Sequence, residues 1–239
     1  MSDPVSQERA STVDEVRDEY QRRTNRYNAH TPAERRMFDL LMGRVLRQYE
    51  QMFERNGLLP LGDRNVLDVG SGRNEWLVAC RQQWGQTNPE LCGIELMPDR
   101  VEQGLTDYPY LQLRCGSADR LPWPDNHFAL THQGMLLTSV LDAALRERIV
   151  AEIRRVTRPG GMFVWYDFVW NPVNRHAEGI PLKQVRAYFR GWELIDRRRV
   201  TLAPPLARRL ARFGEPLIDL AESLRFLNFW QLILFRKPS

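Results

Sequence analysis

The chain has 239 residues, 43% hydrophobic and 27% charged, with a formal net charge of +4. That length fits one α/β domain with extensions, and the composition excludes disordered and fibrous classes. Its longest apolar runs, such as "FLNFWQLILF" near the C-terminus, are about half of the roughly 20 residues that a membrane-spanning helix needs.

The N-terminal stretch "MSDPVSQERASTVDEVRDEY" is polar and carries acids, unlike a secretory signal, so a cytoplasmic protein is expected. Residues 1–58 read as a helical extension. Within it, "TPAERRMFDLLMGRVLRQYEQMF" has Thr31 as N-cap, Pro32 at the first helical position and Glu34 three residues after the cap. Met37, Leu40, Leu41, Val45 and Leu46 keep helical spacing, and Gly57 marks the stop.

From Asn65 to Phe168 short apolar runs alternate with amphipathic stretches. "NVLDVG", "LCGIEL", "LQLRCG", "HFALTHQ" and "GMFVWYDF" are predicted strands, whereas "EWLVACRQQW", "DRVEQGL" and "DAALRERIVAEIRRV" are predicted helices. This alternation argues for a parallel sheet with helices on both faces, whose ligands bind outside the carboxyl ends of the strands. Further on, "PLKQVRAYF" is a predicted helix, and "WELIDRRRVTL" and "FWQLILFRK" are predicted strands. Between these two strands, "LARRLARFGEPLIDLAESLRFL" reads as two helices split at Gly214 and Pro216. The expectation is therefore a seven-stranded, mostly parallel sheet with helices inserted before its last strand. The cysteines Cys80, Cys92 and Cys115 show no C-x-x-C spacing and are expected to be buried and reduced.

The stretch "VLDVGSGRNEW" runs from a strand through a glycine turn into a helix. No Gly-Lys-Ser/Thr follows, so it is not a phosphate-binding Walker loop, and Asn74 stands where a dinucleotide fingerprint would want glycine. Asparagine tolerates the left-handed backbone that such a turn requires. Glu95 closes the next strand, 27 residues after Asp68.

Together with "CGSADRLPWPDNHFALTHQ" and "EIRRVTRPGGMFVWYDF", these motifs resemble the class I S-adenosylmethionine-dependent methyltransferases over roughly residues 60 to 170. The resemblance implies a Rossmann-like methyltransferase domain at 59–239, with acceptor-side elaborations near 168–190 and 203–227. It also implies S-adenosylmethionine as cofactor. Its amino acid part would lie over Asp68, Gly70, Ser71 and Gly72, and its ribose hydroxyls would meet Glu95. A carboxylate suits a diol because it accepts two hydrogen bonds and leaves no donor unpaired. Leu96, Ala118, Asp119 and Gln133 complete the implied cofactor contacts, with Asp119 facing the adenine amino group. Tyr27 is a further candidate contact from the extension.

Methyl transfer needs alignment above all, and a general base only where the nucleophile carries a high-pKa proton. His132, Asp167 and the loop residue His176 are the candidate bases, while His127 reads as a turn residue. "THQGMLL" after the fourth strand lacks the Asn/Asp-Pro-Pro-aromatic signature of nucleobase amine methylation, and no acidic cluster for a metal is evident. The region after the fifth strand is similar to methyltransferases of bacterial surface-polysaccharide pathways. That similarity implies O-methylation of a sugar hydroxyl in a glycan, with a small natural product as the alternative acceptor. Arginine clusters at Arg197, Arg198 and Arg199 and at Arg208, Arg209 and Arg212 could meet a lipid-linked substrate or a membrane surface, or be merely solvated. A nucleic-acid methyltransferase lacks a recognisable RNA-binding appendage here, and a silent interaction module is opposed by the intact cofactor motif. The oligomeric state is not legible.

Overall fold

The structure, a computed structural model, describes residues 17–18, 32–170, 177–202, 209–210, 215–224 and 228–239. Helix α1 (Pro32–Arg55) starts on its proline and ends before Gly57, whose φ of +65° closes the helix as the Leu58 amide bonds back to the Phe53 carbonyl. Thr31, the expected cap, lies outside the described residues.

Strand β1 (Val66–Val69) leads through the glycine turn into α2 (Glu75–Gln82), followed by β2 (Leu91–Glu95), α3 (Pro98–Asp107) and β3 (Gln112–Cys115). Then come β4 (Phe128–Gly134), a 3-10 turn (Leu137–Ser139), α4 (Ala143–Val156) and β5 (Thr157–Phe168). Asp142 caps α4 by accepting from the Leu145 amide. The chain closes with α5 (Leu182–Tyr188), β6 (Glu193–Leu202), α6 (Glu215–Ser223) and β7 (Asn228–Arg236). As expected, these form one seven-stranded sheet, in the order β3-β2-β1-β4-β5-β7-β6. Strands β1 to β5 pair in parallel, and β7 runs antiparallel between β5 and β6.

Two apolar layers cover the sheet. On one face Val45, Tyr49, Met52 and Phe53 of α1 join Trp76 and Leu77 of α2 against Val66, Leu130 and Val164. On the other, Leu145, Ile149 and Ile153 of α4 and Val185 of α5 pack on Leu67, Val69 and Phe163. The expected extension thus contributes a helix to the main core. It is also tied to α6, because Arg44 and Glu222 form an ion pair at 2.8 Å.

Two expectations need correction. Strand β5 begins at Thr157 rather than at Gly161, because the "TRPGG" segment pairs with Phe128 and with the Lys237 carbonyl. Cys115 is exposed, since it ends the edge strand β3, whereas Cys80 and Cys92 are buried. The arginine run on β6 is divided by strand alternation: Arg197 and Arg199 are exposed, while Arg198 turns towards α1 and donates to Gln51. Of the second cluster Arg209 is exposed, and Arg208 and Arg212 lie outside the described residues. No helix among the described residues is long and apolar enough to cross a membrane.

Candidate active site

The site opens at the carboxyl ends of β1, β2 and β4, as the parallel order requires. Gly70 and Gly72 have φ of +78° and +56°, and Asn74 adopts φ +67° where α2 begins. Its left-handed backbone replaces the third glycine. The Gly70 and Ser71 amides both donate to the Ile94 carbonyl, at 2.9 and 3.0 Å, which stitches the turn to β2. A side chain on Gly72 would meet nothing within 4 Å, whereas one on Gly70 would come within 3.2 Å of Leu136. Gly72 therefore presents bare backbone to an open space.

Glu95 faces that space. One of its carboxylate oxygens accepts from the Gly72 amide at 2.9 Å and the other from the Met97 amide at 3.1 Å. Each oxygen keeps a lone pair for a ligand. Burial pushes its pKa up, opposed by the Arg100 guanidinium and by the backbone amides. Beyond it, Leu96, Ala118, Val140 and Ile149 make an apolar slot in a cavity of about 820 Å³ that includes open solvent. A carboxylate beside bare glycine backbone, next to an apolar slot, fits a nucleoside: a diol on the acid and a planar base between aliphatic side chains.

The other predicted residues fall into three groups. Leu96 and Ala118 line the cavity wall. Asp119 stands just behind that wall, accepting from the Ser117 hydroxyl at 2.7 Å and from Arg148 at 3.3 Å. Ser71 is buried beside Gly93 of β2.

Gln133 and Asp167 hold the 3-10 turn that forms part of the wall. The Gln133 side-chain oxygen accepts from the Leu136 amide at 3.2 Å. Asp167 accepts from the Thr138 amide at 3.1 Å, from the Thr138 hydroxyl, and from the Phe168 amide at 3.0 Å. Burial raises its pKa to about 7 against those hydrogen bonds, and it has no exposed surface.

Asp68 and His132 lie on the α1 side of the sheet. They are neighbours in the β1–β4 register, and the two side chains meet at 2.7 Å. His132 is 3% exposed, and Gly134 stands between it and the cavity. Tyr27 and His176 lie outside the described residues. No group of three potential metal-ligating side chains occurs among the described residues.

Sequence reasoning missed Tyr49, which hydrogen-bonds His132 from 83 positions away, and Thr138, the partner of Asp167. It also missed Arg100, although "GIELMPDR" places that residue five positions after Glu95, in the first turn of α3.

Residues 66–161 match a family described as "Methyltransferase domain". A demethylmenaquinone methyltransferase of Lysinibacillus sphaericus is 32% identical over 102 residues, covering 41% of this chain and 42% of that relative. A ubiquinone/menaquinone biosynthesis C-methyltransferase of Cupriavidus necator is 30% identical over 160 residues, 58% of each chain. The chain thus matches well under two thirds of the length of these relatives. Among solved structures, the [4+2]-cyclase SpnF superposes with a TM-score of 0.59 at 21% identity, over 81% of both chains. An S-adenosylmethionine dependent methyltransferase from Mesorhizobium loti superposes with a TM-score of 0.58 at 16% identity, over 77% of this chain and 95% of that one. The architecture is the Rossmann-like methyltransferase fold, and residues 66–161 match its methyltransferase domain.

Proposed function

We propose that the protein binds S-adenosylmethionine and transfers its methyl group to an acceptor presented at the carboxyl ends of β4 and β5. The observation that carries this reading is Glu95, a nearly buried carboxylate whose two oxygens are each anchored by one backbone amide beside the open face of Gly72. Glu95 would hold the ribose diol and the slot of Leu96, Ala118, Val140 and Ile149 the adenine ring. The cofactor supplies a methyl group on a positively charged sulfur. The protein's task is to align that carbon with the acceptor and exclude water.

For the acceptor, the relatives support a quinone-type aromatic ring, since those reported above are named for menaquinone and ubiquinone biosynthesis. They do not support the sugar hydroxyl that the sequence suggested. An electron-rich ring carbon is itself the nucleophile: the new C–C bond would form as the S–CH3 bond breaks, S-adenosylhomocysteine would leave, and the proton on that ring carbon would pass to water as aromaticity returns. That agrees with the positions of His132 and Asp167, whose polar atoms are committed to Asp68, Tyr49 and Thr138 behind the cavity wall.

The test has two stages, because a cyclase shares this fold and cofactor binding alone does not establish transfer. Calorimetry measures S-adenosylmethionine binding. Formation of S-adenosylhomocysteine is then followed with a short-chain demethylmenaquinol, a nucleotide sugar and a catechol. Turnover on the quinol supports the reading, and turnover on the sugar alone restores the glycan acceptor. Binding without turnover on any ring acceptor removes the acceptor assignment. Absence of binding removes the function altogether.

A further inference from the structure

Behind the cavity wall, three polar side chains from three elements form one buried chain. The Tyr49 hydroxyl of α1 lies 2.7 Å from His132 Nε2, and His132 Nδ1 lies 2.7 Å from an Asp68 carboxylate oxygen. All three residues are at most 3% exposed. In the tautomer whose ring proton sits on Nδ1, that nitrogen donates to the Asp68 carboxylate and Nε2 accepts from the Tyr49 hydroxyl. Every hydrogen in the chain has an acceptor.

The position of the imidazole matters as much as its bonds. Asp68 stands two residues before Gly70 on the strand that enters the glycine turn. Trp76 stands four residues after Gly72, in the first turn of the helix that leaves it. Its indole stacks on His132, with ring centroids 4.1 Å apart and planes 9° from parallel. His132 therefore grips both flanks of the turn, one by a hydrogen bond and one by its face. A side chain on Gly134, which lines the cavity, would come within 3.1 Å of the His132 ring. Tyr49 fixes the remaining edge of the ring, and its own ring is wedged among Phe53, Trp76, Trp84 and Tyr166.

We propose that Tyr49 and His132 are positioning residues: through Asp68 and Trp76 they make the seating of helix α1 on the sheet set the geometry of the glycine turn that receives the cofactor. Neither touches the ligand. Their effect reaches it because the Gly70 and Ser71 amides bond to β2 and the Gly72 amide bonds to Glu95, so a shift of the turn displaces the carboxylate that takes the ribose. This naming of S-adenosylmethionine rests on the function proposed above.

Tyr49→Phe keeps the ring and its packing and deletes only the donor, leaving the His132 Nε2 lone pair unpaired. The expected result is a three- to tenfold weaker S-adenosylmethionine affinity and a matching rise in its KM, with kcat at saturating cofactor within twofold. Amide hydrogen exchange at Gly70, Ser71 and Gly72 should accelerate more than exchange across β5 and β7. His132→Asn, which retains a donor for Asp68 but not the reach to Tyr49, should lower the affinity. Tyr49→Phe should then add nothing on top of it. Unchanged affinity and unchanged exchange at the turn in Tyr49→Phe overturn the proposal, whatever happens to the melting temperature. So does acceleration spread evenly over the whole sheet, which marks a purely structural bond. If the wild-type protein does not bind S-adenosylmethionine, the functional reading falls, and the exchange at Gly70 to Gly72 alone decides whether α1 controls the turn.

Discussion

Replacing Glu95 by glutamine tests the site most directly, because the change keeps the shape and alters only charge and hydrogen bonding. In the structure each carboxylate oxygen already accepts one backbone amide, from Gly72 at 2.9 Å and Met97 at 3.1 Å. The amide group of glutamine must therefore point its N–H at one of those two donors, and only one oxygen remains for the diol. One charge-assisted hydrogen bond, worth about 1.5–3 kcal/mol, is lost, and the other drops to the neutral range of about 0.5–1.5 kcal/mol. The combined cost is roughly 2.5–4.5 kcal/mol, or about 60- to 1,600-fold in Kd for S-adenosylmethionine. Calorimetric titration measures it, with Glu90→Gln at the opposite end of β2 as the control expected to bind like wild type. The pH dependence adds a second reading. Burial raises the Glu95 pKa, so affinity should fall as the pH drops through that raised value and the carboxylate becomes neutral. The glutamine variant should lack this fall. A Glu95→Gln protein that is folded and binds within threefold of wild type would refute the assignment of Glu95 to the ribose.

For Asp167, the folded protein holds a proton up to about pH 7 that the unfolded chain releases near pH 4, so stability should decline as the pH rises across that window. The decline amounts to roughly 4 kcal/mol for the isolated group. Urea unfolding of Asp167→Asn should show a flatter pH profile, and an unaltered profile would mean that another group titrates. Gly70→Ala and Gly72→Ala should each weaken cofactor binding. Both force a side chain into positive φ, Gly70's pressing on Leu136 of the cavity wall and Gly72's entering the space that the cofactor would fill. Gly104→Ala in α3 should lower stability by about 1–3 kcal/mol in thermal unfolding, since the added carbon would lie 2.4 Å from the Asn74 side chain and 2.5 Å from Leu113. Once an acceptor is found, turnover should survive EDTA; loss of activity restored by magnesium would reveal a metal site that the residues do not announce.

Local rules carried much of this reading. The alternation of short apolar runs with amphipathic stretches specified the parallel sheet, because the periods of strand and helix follow from bond geometry alone. The "DVGSGRNE" stretch announced its turn, because only glycine or asparagine occupies positive φ cheaply, and Gly70, Gly72 and Asn74 all do so. Glu95 was legible through the resemblance of the motif order to the methyltransferases, which implies an acid at the end of the second strand for the ribose hydroxyls.

What each polar side chain meets was decided only by the tertiary structure. Asp68 and His132 are 64 positions apart, and they become neighbours because β4 inserts beside β1 in the sheet order. Strand alternation then turns both towards α1 and away from the cavity. The same alternation sends Asp167 and Gln133 to the opposite face, where Thr138 and its turn take up their oxygens. His132 and Asp167, two of the candidate bases in the sequence, thereby have their polar atoms hydrogen-bonded to Tyr49, Asp68 and Thr138. A residue's chemistry is local, but its partner depends on which strands lie side by side, and sheet order is settled by the packing of the whole chain.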